Sequence, residues 1–482
     1  MSKHNLIYIV VDSLRPDYLS CYDSSKNQTP SIDRLAKSGL IFNNVFSVST
    51  VTPVVFSTLF TGTFPYEHGI KEFSYVLSDK NKTLAELFKS KNYRTGAVVG
   101  SVVLDGSRGF SRGFDYYDDK FDKKYYIKDR KVFNDYNNEV IYRLGEVVIE
   151  KAKNWIDKSQ HENFFLFLHF WDNHLPYNPP ESLLGEKEVN YSGKADGSVV
   201  LAENYNAENE TLDKEDLDQY KALYGGATRH VDNCIEKLIR YLEDNNLMEN
   251  TSIIFTADHG EALGEYSYIG HGRLLYDRII QVPLIMHGEI ANQYENSVIE
   301  KNTSNADIFQ NIVNAFYLAD KKDLQKKEEI YCETYFPKKF ENKRICLRNN
   351  EWKYIREPFT VNDGGKKNYW QFTKIFVKRF VNSKGSRVFL LRKLFDRFIS
   401  KNKEQLWNDI ENVLEKRRGV RRELYYIKED FLEQNNLISK KLDVAKKMDD
   451  LLKSRLSGEN QGEKNDISKT DMEEKLKSLG YM

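Results

Sequence analysis

Short apolar runs alternate with helical patterns over residues 1–320 of this 482-residue chain. The runs at 6–11, 93–99, 164–169, 252–256 and 282–287 read as buried strands of a parallel sheet. Between them, 31–38, 84–91, 146–158, 219–245 and 307–316 carry apolar residues at helical spacing. The segment 219–245 is the longest of these and ends just before the fourth apolar run. Strands alternating with helices predict an α/β domain, with a large, mostly parallel sheet flanked by helices. Residues 186–215 are polar and weakly patterned, which suits a surface excursion.

Beyond about residue 320 the texture changes. Short strands are predicted at 329–335 and 344–348, followed by 352–355, and they imply a smaller C-terminal α+β subdomain over 321–440. Residues 441–482 read as a polar tail ending in a short helix. Between 366 and 403 twelve Lys or Arg face one acid, Asp396, and aromatic residues such as Trp370, Phe376 and Phe395 interleave with them. Such a stretch suits either a helix docked on the core with a solvated basic face or peripheral contact with an anionic membrane.

Composition narrows the classes further. The 72 basic side chains equal the 72 acidic ones, so no global charge calls for a nucleic-acid partner. Cys21, Cys234, Cys332 and Cys346 lie far apart, without CxxC spacing, and read as thiols of a reducing compartment. The chain runs almost directly into its first strand, without a signal-peptide pattern, so the expected location is cytoplasmic.

The chemistry-bearing residues follow the strands. Asp258 and His259 sit in a glycine-rich turn (TADHGEALGE) directly after the fourth run. Carboxyl ends of strands are where ligands bind in open α/β sheets. A hard oxygen beside an imidazole suits Mn2+ or Zn2+, although Asp258 alone also suits a helix cap. Asp12 closes the first strand at the same kind of position, or caps a turn. Thr52 precedes Pro53 at the entry to a predicted helix, where free amides favour an anion and where a threonine also serves as an N-cap.

Taken in order, these blocks resemble the sulfatase family of the alkaline-phosphatase superfamily. The matching stretches are VVDSLRPDYLSCY, FNNVFSVSTVTPVVFSTLFTGTFPYEHGI, FLFLHFWDNHLPYNPP, YGGATRHVDNCIEKLIRYLE, IIFTADHGEALGE and GHGRLLYDRIIQVPLIMHG, with RNNEWKYIRE, ELYYIKEDFLEQNNL and LKSLGYM near the end. The resemblance implies Asp12, Asp258 and His259 as metal ligands and Thr52 as nucleophile and further ligand. It implies His174 and His271 as catalytic and substrate-binding histidines, and Asn44 as an asparagine beside the anion. The departures are at the nucleophile. Thr52 stands where relatives carry a Cys or Ser that becomes formylglycine, Val54 replaces their Pro and Phe56 their Arg. Ser13 replaces a second Asp, and His259 a common Asn.

Threonine cannot become that aldehyde, so the expectation is phosphorus chemistry: a metal-dependent phosphoester hydrolase or phospho-group transferase with a phospho-threonine intermediate. His174 or His271 would protonate the leaving oxygen. The mixed oxygen and nitrogen set favours Mn2+ or Zn2+, with Ca2+ also compatible. A single cation is the simpler reading, while a second could be held by His174, His271 and Asp172. A sulfatase proper and a catalytically silent member that binds an anionic glycan are the alternatives. The expected substrate is an anionic small molecule or a glycan- or lipid-linked ester, and the oligomeric state is left open. His68, His169, His230 and Asp232 read as structural, and Asp307 as a helix cap.

Overall fold

A computed structural model describes residues 4–73, 75–121, 142–206, 210–294, 297–318, 329–335, 343–356 and 422–456. The five apolar runs enter one eight-stranded sheet. Its strands are Asn5–Val11 (β1), Leu40–Phe42 (β2), Arg94–Val98 (β3), Tyr116–Asp118 (β4), Phe164–Phe170 (β5), Thr251–Ala257 (β6), Leu284–His287 (β7) and Val298–Ile299 (β8). They lie in the order β8-β2-β7-β6-β1-β5-β3-β4. β1, β5 and β6 form the centre and are buried at every residue, which is why their sequences are apolar without alternation. β1 runs parallel to both neighbours, with Val11 opposite Phe170 on one side and Ala257 on the other.

β7 departs from the parallel expectation and runs antiparallel to both β6 and β2. A parallel return needs a long crossover, usually helical. The chain between β6 and β7 is instead spent on a glycine-rich turn, the hairpin of Ala262–Leu263 with Ile269–Gly270, and the four-residue helix Asp277–Ile280.

Helices cover the sheet. Those that position the site are Thr52–Thr61 (α1), Gly145–Asp157 (α2), Lys214–Asp244 (α3) and Asn305–Ala315 (α4). α1 is buried at every position and packs against α4. It stops at Gly62, whose φ of 69° is left-handed and whose missing Cβ leaves room for the Phe309 ring on α4. α3 opens with a capping box between Asp213 and Asp216, and α2 packs on both β5 and α3. Asp307 caps α4 through Ser304, as expected.

The smaller C-terminal subdomain is an antiparallel sheet of Ile330–Thr334 (β9), Arg344–Arg348 (β10), Trp352–Arg356 (β11) and Arg422–Tyr426 (β12). Residues 442–456, read from sequence as the start of the polar tail, form the helix Leu442–Leu456 (α5). Its Ala445, Met448 and Leu452 share an apolar cluster with Tyr331, Leu347 and Leu424 of the sheet. A buried ionic knot joins this subdomain to the larger domain. Lys353 Nζ lies 2.7 Å from Asp277 Oδ1 and 2.7 Å from Glu433 Oε1, and Arg348 Nε lies 3.2 Å from Asp277 Oδ2. The basic stretch 366–403 and the chain end 457–482 lie outside the described residues. Among the described residues no helix is long and apolar enough to cross a membrane.

Candidate metal centre and active site

Because β1 and β6 are paired with Val11 opposite Ala257, the next residue of each strand, Asp12 and Asp258, arrives at the same carboxyl edge of the sheet. Ser13 then turns the chain with a left-handed φ of 59°. Its N–H donates to Asp258 Oδ1 at 3.1 Å and its hydroxyl to Asp12 Oδ1 at 2.9 Å. The His259 N–H also donates to Asp258 Oδ1, at 2.8 Å. One oxygen of each acid is thereby held. The other oxygens, Asp12 Oδ2 and Asp258 Oδ2, have no hydrogen-bond partner, although His169 Nε2 and His259 Nε2 approach them at 3.5 and 3.3 Å.

Both acids are fully buried. Burial pushes Asp258 up to about 7, the neighbouring Asp12 charge adding to the rise, and burial likewise holds Asp12 well above the usual carboxylate range. Two buried carboxylates with unsatisfied oxygens call for a cation. Asp12, Asp258 and His259 each offer one ligand atom, all within 4.8 Å of one another. A divalent metal fits this set.

His259 is prepared to be a ligand. Its Nδ1 lies 3.0 Å from the Gly260 carbonyl, which can only accept, so Nδ1 carries the ring proton and Nε2 presents its lone pair. That Nε2 is 3.4 Å from Thr52 Oγ1. Thr52 is the first helical residue of α1, and Val51, with φ −125° and ψ 114°, takes the N-cap position that Thr52 was expected to suit. The threonine hydroxyl is therefore not spent on capping the helix and faces the His259 lone pair.

His174 and His271 complete the cluster. The ring centroid of His271 lies 4.2 Å from that of His259 and 4.9 Å from that of His174, and His174 stacks on Trp171 at 3.7 Å. Burial keeps both neutral: it lowers His271 to about 3, and it lowers His174 well below the ordinary value, with the adjacent His271 and His259 adding to the effect. Desolvation thus works against the charged ring that an imidazolium acid needs. The Nδ1 proton of His174 is committed to the Leu175 carbonyl at 2.5 Å, so its Nε2 is an acceptor.

Two expectations are corrected. Asn44 is not brought to the cluster; its amide donates to the Glu300 carbonyl at 2.7 Å. Among the described residues Asp172 is not grouped with His174 and His271 as metal ligands, and its Oδ1 accepts from His230 Nδ1 at 2.6 Å and from the Gly145 N–H at 3.2 Å. His68 is structural as expected, tied to Thr58 at 3.2 Å and to the Ile70 N–H at 3.0 Å. Asp232 accepts from the first amides of the helix Pro30–Lys37.

Sequence reasoning missed two members of the site. His169 was read as a satisfied core histidine, yet it faces Asp12. Glu261, fully buried and pushed up to about 8 by burial, holds His271 Nδ1 at 2.9 Å. Its signal was its place three residues after Asp258 in the same turn. Phe56, at the position of the family's arginine, is fully buried and packs edge-on against His169 at 5.1 Å and Phe167 at 5.9 Å.

A family model described as Sulfatase matches residues 4–317. The chain is similar to the ulvan-active sulfatase of Formosa agariphila, with 29% identity over 297 residues, 59% of this chain and 56% of that protein. It is also similar to the N-acetylglucosamine-6-O-sulfatase of Bacteroides thetaiotaomicron, at 22% over 379 residues, 63% of this chain and 65% of that one. Less than two thirds of each of these curated relatives is therefore spanned. A protein solved in complex with its substrate D-glucosamine-2-N,6-O-disulfate shares the fold at TM-score 0.66 and 16% identity, over 97% of this chain and 100% of that chain.

These relatives correct the expectation of a phosphoester hydrolase or phosphotransferase, since the two curated proteins are named as sulfatases. That expectation rested on one position, Thr52.

Proposed function

Since this chain belongs to the sulfatase family, we propose that it hydrolyses sulfate esters at the centre formed by Asp12, Thr52, Asp258 and His259. The observation that carries this reading is the convergence of two buried carboxylates, each with an unsatisfied oxygen, on the Thr52 hydroxyl and the His259 lone pair. The oxygen and imidazole set suits Mn2+ or Zn2+, with Ca2+ also compatible, and such an ion supplies positive charge to the sulfuryl oxygens when bound.

The chain's own residues divide the remaining work. Thr52 Oγ1 attacks sulfur and gives up its proton to solvent, the bond from sulfur to the leaving oxygen breaks, and that oxygen takes up a proton from solvent to depart as the alcohol. Water then attacks the sulfur of the threonine sulfate and returns inorganic sulfate with free Thr52. Threonine cannot expel sulfate by collapsing to an aldehyde, so this second step limits turnover. His174, neutral and with Nε2 an acceptor, reads a hydroxyl beside the ester, which suits a sulfated glycan or another polyhydroxylated anionic ester. No disulfide joins the four cysteines, which suits a reducing cytoplasm. Membrane contact through 366–403 belongs to the same proposal and concerns substrate delivery only.

Metal-loaded protein incubated with aryl sulfates and sulfated sugars should release inorganic sulfate, measured by ion chromatography, and Thr52→Ala should abolish the release. No release from any of them overturns the reading. A second reading, binding of a sulfated glycan without turnover, is favoured by Phe56, which fills with an aromatic ring the position where relatives place a charge. It predicts saturable glycan binding with no sulfate released.

A further inference from the structure

α2 and α3 hold a second group of metal-type ligands, remote from the Asp12 centre in sequence and built from different chemistry. Glu146, His230 and Cys234 each present a ligand atom within 4.8 Å of the others. His230 and Cys234 are separated by one helical turn on α3, so both project from the same face. Glu146 meets them from the first turn of α2. The thiol gets this close because α2 begins with Gly145, where a Cβ would stand 3.0 Å from Cys234 Sγ and 2.7 Å from the Phe170 ring.

The histidine is oriented as a metal ligand is. Its Nδ1 lies 2.6 Å from Asp172 Oδ1, and its Nε2 faces the cluster, 2.8 Å from Glu146 Oε2. A carboxylate on one ring nitrogen fixes the tautomer and leaves the other nitrogen for the ion. Asp172 is itself anchored by the Gly145 N–H at 3.2 Å.

We propose that Glu146, His230 Nε2 and Cys234 Sγ bind one zinc-type transition-metal ion, with Asp172 as the orienting carboxylate. Thiolate and imidazole select such an ion over Ca2+ or Mg2+. The Glu146 side chain, 21% exposed, forms the solvent edge through which the ion enters and where a water completes a tetrahedral shell. Binding releases the thiol proton and any proton on Nε2 to solvent. Asp172 lies two residues before His174, so the ion stiffens the loop that presents that histidine to the active site.

Cobalt(II) titration of the full-length chain tests this, because a thiolate ligand gives a near-ultraviolet charge-transfer band and the Asp12 centre contains no sulfur. The band should saturate at one equivalent per chain in the wild type and in Asp258→Asn, and be missing from Cys234→Ser. Glu146→Gln, at the partly exposed ligand, should weaken cobalt binding by about tenfold or more and keeps the test open if Cys234→Ser does not fold. Absence of the band in the wild type, or its persistence in Cys234→Ser, overturns the proposal and leaves His230 as an imidazolium bridging two carboxylates.

Discussion

His169 Nε2 stands 3.5 Å from Asp12 Oδ2, with neither side chain exposed to solvent. The Gly100 N–H donates to His169 Nδ1 at 3.2 Å, so the ring proton sits on Nε2 and points at the carboxylate oxygen that nothing else holds. His169 thus acts on the metal centre through Asp12 as a positioning residue. Replacing it with Leu should lower divalent-metal affinity by roughly 10–100-fold, read by calorimetric titration with Mn2+. An unchanged affinity would show that Ser13 alone orients Asp12.

The His230 pair gives a pH dependence. In chelator-treated protein its hydrogen bonds to Asp172 and Glu146 outweigh burial and raise it from 6.5 to about 9. A raised histidine contributes stability that is fully present below the unfolded value and is lost as pH rises through the folded one. Stability should therefore fall between about pH 6.5 and 9, by on the order of 3 kcal/mol. Urea unfolding at pH 6 and pH 9.5 would measure it, and His230→Gln should flatten the difference. A wild-type slope retained in that variant would assign the dependence to other groups.

The ionic knot between the two sheets predicts a large stability loss. Lys353 has no solvent-exposed surface on its side chain and shares Asp277 with Arg348. Removing the shared acid leaves two cations without it in a dry interior, a change that costs about 3–5 kcal/mol. Asp277→Ala should show this as a lowered urea midpoint. A loss below about 1 kcal/mol would mean that the knot behaves like a surface pair.

The sheet centre was legible because β1, β5 and β6 are buried on both faces and therefore continuously apolar. β2, β4 and β8 were not, since strands of two or three residues carry no period to read. The direction of β7 was equally hidden, because an apolar run has no polarity and orientation is set by its connection. Asp12, Asp258 and His259 could be placed because each follows a strand end. His169 could not, since it sits inside the apolar run Phe164–Phe170, where nothing local distinguishes a packed ring from one facing a carboxylate. Thr52 was placed beside Asp12, Asp258 and His259, but it led to phosphorus where the two curated relatives are sulfatases, because one side chain cannot choose between the two elements. The burial that works against charge on His174 and His271 is likewise not carried by the sequence.

The threonine sulfate is the species that separates this account from any other. Metal-loaded protein should be quenched during turnover of an aryl sulfate and the peptide containing Thr52 examined by mass spectrometry. The account predicts a burst of released phenol of about one per site and the added mass of one SO3 group on Thr52. Steady release of sulfate with Thr52 unmodified throughout, or undiminished in Thr52→Ala, would contradict it.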